Sequence, residues 1–240
     1  MNPPAASGRA VAAVVTVLAV VALAFRLAGP ANAAVGDLDT SFAPPSLNAG
    51  VTSVVELSDG KYLIGGSFTG AGGVAGTDRV ARLNADGSLD TSFTPPSLNS
   101  TVWSIAVLSD GKYLIGGLFT DVGGDTNTDY VARLKADGTR DTSFTPPTFA
   151  EIGSVEAVAG LSDGKYLIVG SFTDAGGDAN TDYVARLNAD GTRDSSFTSP
   201  AVNAQVYAVA ELSDGKYLIG GELHQSGGAV ERRWRPRQFF

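Results

Sequence analysis

Leu57-Ser58-Asp59-Gly60-Lys61-Tyr62-Leu63-Ile64-Gly65-Gly66 decides the fold because it returns three times. The copies are Leu108–Gly117, Leu161–Gly170 (with Val169 for the first glycine) and Leu212–Gly221. The aspartates Asp59, Asp110, Asp163 and Asp214 stand 51, 53 and 51 residues apart. A fixed period in this range marks propellers and solenoids, whose units cannot bury a hydrophobic face alone.

Outward from that stretch, each unit reads as four short strands. A first strand, Val51 to Leu57, precedes it, with Val102, Val155 and Val206 recurring at the same start. Asp59-Gly60 between apolar runs is a hairpin signal, since both residues tolerate positive φ. Tyr62 to Gly66 is a continuous apolar run, as expected of a strand buried on both faces. Its closing glycines point to close backbone approach or a bulge. A Gly-rich loop leads to Val80-Ala81-Arg82-Leu83, Asp86-Gly87 makes a second hairpin, and Leu89 to Phe93 is the fourth strand, ended by Pro95-Pro96.

Connections this short leave no room for a crossover helix, and the Asp-Gly turns and β-branched content disfavour helical repeats. A parallel β-helix, the competing all-β reading, rarely uses Asp-Gly hairpins. The expected fold is therefore all-β: a β-propeller-type array of four-stranded antiparallel blades, about three and a half repeats of about 51 residues. Propellers typically close with four to eight blades, so the array is expected to be an incomplete ring. The blades are 37–93, 94–144, 145–197 and a partial 198–223, within a repeat region spanning 34–228.

The blocks Ser58–Phe68, Val80–Gly87 and Leu89–Phe93 resemble the delta-60 repeat family of bacterial β-propeller proteins, over residues 37–223. Kelch repeats also pair glycines after an apolar strand, but their later tyrosine and tryptophan are missing here. The resemblance implies an exported, often large, surface-associated propeller protein. It carries no common activity over to these residues.

Both ends depart from the repeat. Residues 1–33 read as a secretory signal: Arg9, an apolar stretch from Val11 to Phe25, and Ala31-Asn32-Ala33 for cleavage. The apolar stretch falls short of the roughly 20 residues a membrane span needs; an uncleaved anchor is the alternative. Residues 229–240 form a basic, atypical tail with Pro236 where a third strand is due, which suggests an out-of-frame or replaced terminus and a truncated fragment of a larger surface protein.

Beyond the signal, 15 basic residues face 25 acidic ones, and there are no cysteines. This charge argues against nucleic acid, whose phosphates call for lysine and arginine. The absence of cysteine excludes thiolate metal sites and cysteine nucleophiles. The expected location is secreted, cell-surface or periplasmic, with no membrane span after signal cleavage and an unknown protein or glycan as partner.

Strand direction alternates, so both Asp-Gly hairpins fall at one end of a blade and the Gly-rich loops and Pro-Pro links at the other. Function is expected at the loop end, where connections are longer and less uniform. Two loops there carry Asp125-Thr126-Asn127-Thr128-Asp129 and Asp178-Ala179-Asn180-Thr181-Asp182, preceded by Asp121 and Asp174. These oxygens are candidate calcium ligands; the alternative is a set of Asx turns. No other cofactor is expected.

The Asp-Gly aspartates serve turns. Arg82, Arg133 and Arg186 are expected to pair with Asp90, Asp141 and Asp194 across the second hairpin. Phe42, Phe93, Phe144 and Phe197, with Phe68, Phe119 and Phe172, read as packing anchors. Trp103 and Tyr207 stand where other repeats hold Thr52 and Glu156, and His224, the only histidine, stands where threonines recur. The leading expectation is a non-enzymatic binding or structural module. The alternative is a polysaccharide- or peptide-acting enzyme in the channel, which would need acids that differ between blades; none stands out from the repeats.

Overall fold

The computed structural model describes residues 38–150 and 153–222. The export signal, His224 and the basic tail lie outside the described residues. Three units each hold a three-stranded antiparallel sheet in chain order: β1 (Val51–Glu56), β2 (Tyr62–Gly66) and β3 (Val80–Leu83); β4 (Val102–Val107), β5 (Tyr113–Gly117) and β6 (Val131–Leu134); β7 (Val155–Gly160), β8 (Tyr166–Gly170) and β9 (Val184–Leu187). A fourth unit pairs β10 (Val206–Glu211) with β11 (Tyr217–Gly221). The protein is all-β, with propeller-like repeats.

The fourth strand expected at Leu89–Phe93 is a single bridge, Leu83 to Leu89, repeated as Leu134 to Arg140 and Leu187 to Arg193. The next residue ends it. Asp90 accepts hydrogen bonds from the amide and hydroxyl of Ser92, at 3.0 and 2.6 Å, and so turns the chain away from the ladder. This Asx turn competes locally with strand pairing and wins.

The hairpins also differ from the reading of two positive φ angles. Only the glycine is left-handed, with Gly60 at φ 80°. Gly60 N–H donates to the Leu57 carbonyl and Leu57 N–H to the Lys61 carbonyl, which makes a three-residue loop with glycine in the left-handed position. Asp59 contributes through its side chain, which accepts the Lys61 N–H at 3.1 Å.

Successive units stack through their first strands: β4 packs against β1 and β7, and β10 against β7. The glycines of the second strands make this close. A Cβ on Gly65 would sit 2.9 Å from Val102 and 3.0 Å from Ile105, and one on Gly116 closer still, 2.7 Å from Val155 and 2.8 Å from Val158. Phe68, Phe119 and Phe172 are fully buried beneath the sheets, each contributing about 2–3 kcal/mol of apolar burial.

Each first strand carries a β-bulge at its second residue. The ladder slips between Val51 and Ser53, Val102 and Ser104, Val155 and Ala157, and Val206 and Ala208. The bulged residues are Thr52, Trp103, Glu156 and Tyr207. A bulge re-aims its side chain, and these four differ where the units around them repeat.

Candidate functional site

The hairpin end of the array is held by a repeated clasp. In unit 2, Asp141 Oδ2 accepts Arg133 Nε at 2.8 Å and Lys112 Nζ at 3.0 Å. The Arg133 guanidinium lies over the Phe144 ring, 5.0 Å from its centre. It then crosses into unit 3, where Nη1 donates to the Ala189 carbonyl at 2.5 Å and the Tyr166 hydroxyl at 3.0 Å. Phe144 crosses too, meeting Tyr166 edge-on at 5.9 Å. Unit 1 repeats this with Lys61, Arg82, Asp90 and Phe93, and unit 3 with Lys165, Arg186, Asp194 and Phe197. The expected arginine–aspartate pairs and phenylalanine anchors are thus present, joined by lysines the sequence reading left out.

Burial works against ionisation of Asp90 and Asp141. Hydrogen bonds from Lys61 and Ser92 outweigh it in Asp90, and those from Ser143 and Lys112 in Asp141, so both carboxyls end far below the ordinary range. For Asp194 the hydrogen bond from Lys165 is the largest influence, and its carboxyl too is far below that range.

An open groove of about 750 Å³ lies at this same end, between units 2 and 3. Val107 and Leu108 form one wall, Gly160 and Leu161 the other, and Lys112 and Glu211 line it as well. Glu211 reaches in from unit 4 and holds Ser162 by its amide at 2.8 Å and its hydroxyl at 2.9 Å. Gly160 sits at the last position of its first strand, where the other units have Glu56, Val107 and Glu211. The sequence reading looked for function at the loop end; the cavity is at the hairpin end, where unit 3 carries no side chain at its strand end.

At the loop end the candidate calcium ligands are drawn into local turns. Asp125 Oδ1 accepts the Asn127 amide at 3.1 Å, and Asp178 Oδ1 the Asn180 amide at 3.0 Å. Those backbone bonds are the leading cause of the lowered carboxyl pKa of both aspartates. Their second oxygens bind Arg140 at 2.8 Å and Arg193 at 2.9 Å. Asp129 and Asp182 accept the amides of Asp121 and Asp174, which are themselves left-handed, at φ 54° and 49°. Among the described residues no group of three or more His, Cys, Asp or Glu is arranged to hold a metal ion. The arginines had a signal in the sequence: unit 1 has Val74 and Leu89 where units 2 and 3 have an aspartate and an arginine.

The bulge row lies at the loop end as well. Thr52 Oγ1 donates to the Val102 carbonyl of the next unit at 2.5 Å, and Glu156 Oε1 accepts Gln205 Nε2 of unit 4 at 2.5 Å. Burial raises the Glu156 carboxyl, opposed in part by hydrogen bonds from Ser154 and Gln205. Tyr207 donates to Glu222 at 2.8 Å, which raises its hydroxyl pKa, with burial and the charges of Glu222 and Glu156 adding to the effect. Glu156 is thus an acid that differs between units on the first strands, which the sequence reading did not single out.

Among the described residues no helix is long and apolar enough to cross a membrane. No curated protein matches the chain. It resembles a solved structure of PorZ, an essential bacterial surface component of the type-IX secretion system of Porphyromonas gingivalis, with a TM-score of 0.45 and 13% identity over 72% of this chain. The chain spans 25% of the length of that one, and a likeness at this level says nothing of function. A family model described as "Domain of unknown function (DUF5122) beta-propeller" matches residues 57–93, 108–144 and 161–197, so these three stretches are similar to the repeats of a β-propeller repeat family.

Proposed function

We propose that the protein is an exported, non-enzymatic β-propeller module that binds a protein or glycan at the cell surface. Four-stranded blades, with the bridged segment as outer strand, and a ring completed by further blades belong to this reading, as does the delta-60 resemblance. One observation carries it. The stretches that match the family run from the first hairpin to the clasp, while the first strands, which lie outside those stretches, carry two positions that vary between units. Thr52, Trp103, Glu156 and Tyr207 vary at the bulge, and Glu56, Val107, Gly160 and Glu211 at the strand end. A constant frame with variable positions on neighbouring strands suits recognition.

The test is saturable binding of the labelled secreted protein to immobilised glycans and purified envelope components. Binding of at least one supports the module; binding of none counts against it. A second reading has Glu156 in its favour, because a half-buried acid with a raised pKa suits general acid catalysis. Cleavage of a polysaccharide or peptide that disappears in Glu156→Gln would favour that enzyme.

A further inference from the structure

We propose that the groove between units 2 and 3 binds a neutral, hydroxyl-rich ligand of disaccharide size, and that Gly160 is what opens it. The inference rests on the binding-module reading and names the ligand class of one site within it. A Cβ on Gly160 would stand 3.1 Å from Leu108 Cδ2. Both residues are walls of the groove, so any longer side chain at 160 starts inside the cavity. Units 1, 2 and 4 carry one at this position; unit 3 alone carries none. A volume of about 750 Å³ lies within the range of small-molecule sites, roughly 300–1,000 Å³.

The lining selects the chemistry. Lys112 and Arg133 bring two positive charges, Asp110 and Glu211 two negative ones, so the wall carries no net charge. Lys112 and Arg133 are already bound to Asp141, and Glu211 to Ser162. An ionic ligand would have to break those pairs, whereas hydroxyls, which both donate and accept, add to them. Ser109 and Ser162 supply further hydroxyls, and Val107, 40% exposed, gives an apolar face for the C–H side of a sugar ring.

The test titrates the secreted full-length protein with cellobiose, maltose and diacetylchitobiose, alongside Gly160→Glu and Gly160→Val. Both substitutions copy what sibling units hold at this position, so the melting temperature is expected to stay within 2–3 °C, about the shift of a sub-kcal/mol change. At least one disaccharide should bind the wild type and lose about tenfold or more in affinity, about 1.4 kcal/mol, in both variants. Amide shifts on titration should map to residues 107–112 and 160–164, which locates the site without any variant. Equal affinity in Gly160→Glu, or shifts elsewhere, overturns the groove as the site. A charged peptide displacing the sugar, or binding of some other surface component while all three sugars fail, overturns the ligand class and leaves the module standing. If nothing binds at all, the module reading fails with it.

Discussion

Asp39 and Asp141 begin the same four residues, Asp-Thr-Ser-Phe, and end in different surroundings. Both accept the amide and hydroxyl of the serine two places on, at 2.9 and 2.6 Å for Asp39 and 3.1 and 2.7 Å for Asp141. Both are followed by a phenylalanine that packs on a tyrosine further along the chain, Phe42 on Tyr62 and Phe144 on Tyr166. Asp141 is buried and bound by Lys112 and Arg133, while Asp39 is exposed and has no ion pair among the described residues. The turn is local and needs only four residues. The clasp needs an arginine 8 residues earlier and a neighbouring unit to receive it.

The largest way to break this contrast is Arg133→Ala. It leaves buried Asp141 with Lys112 as its only cation and strips the Ala189 carbonyl of its donor, which should cost about 3 kcal/mol in urea unfolding. A loss no greater than for the partly exposed arginine in Arg193→Ala would sink the clasp as an inter-unit tie. Gly138→Ala comes next. Gly138 has φ 92° and the Phe93 ring of the preceding unit 2.8 Å from where a Cβ would stand, so strain and overlap together should cost about 2 kcal/mol. The same substitution at Gly111, also left-handed but with nothing within 4 Å, separates strain from overlap and should cost less.

Much of this architecture was legible. Strand boundaries at Tyr62–Gly66 and Val80–Leu83 follow from apolar runs between Asp-Gly pairs, and the Arg82–Asp90 pair from its place across a hairpin. What local pattern did not carry was reach. Arg133 pairs within its unit, as read, but its free nitrogen bonds the next unit, and nothing in the chain marks Ala189 as the acceptor. The expected fourth strand is only a bridge because Asp-Thr-Ser-Phe has extended-looking residues but an Asx turn at its head. The groove escaped because its cause is an absence: only aligned strand ends, Glu56, Val107, Gly160 and Glu211, show which unit lacks a side chain.

Acid should sharpen the contrast. Asp90, Asp141 and Asp194 have folded pKa values far below the unfolded value of about 3.9. Their contribution to stability is therefore present in full above that value and is lost as pH falls below about 4. The melting temperature should be insensitive to them between pH 5 and 8 and drop toward pH 3. Asp141→Asn should flatten part of that acid limb. Asp39→Asn, which removes only an exposed turn acceptor, should leave the limb as in the wild type; equal flattening by both would mean that the turn, and not the clasp, sets the acid response.

The loop end gives the smallest effect and the same lesson in miniature. Asp125 and Arg140 form an ion pair in unit 2 where unit 1 carries Val74 and Leu89. The loops nevertheless keep one backbone path: Gly70 and Asp121 are both left-handed, and Asp78 and Asp129 each accept the amide found there. The loop is thus set by its turns, and the ion pair is exchangeable. Half-buried surface pairs of this kind, screened by solvent, contribute little, so Asp125→Val with Arg140→Leu, which copies unit 1 into unit 2, should leave the unfolding midpoint unchanged within error. With one Asp125 oxygen on Asn127 and the other on Arg140, added calcium or EDTA should also leave the melting temperature where it was. A fall on chelation that calcium reverses would return these aspartates to metal ligation, and the double substitution would then abolish the calcium response in unit 2.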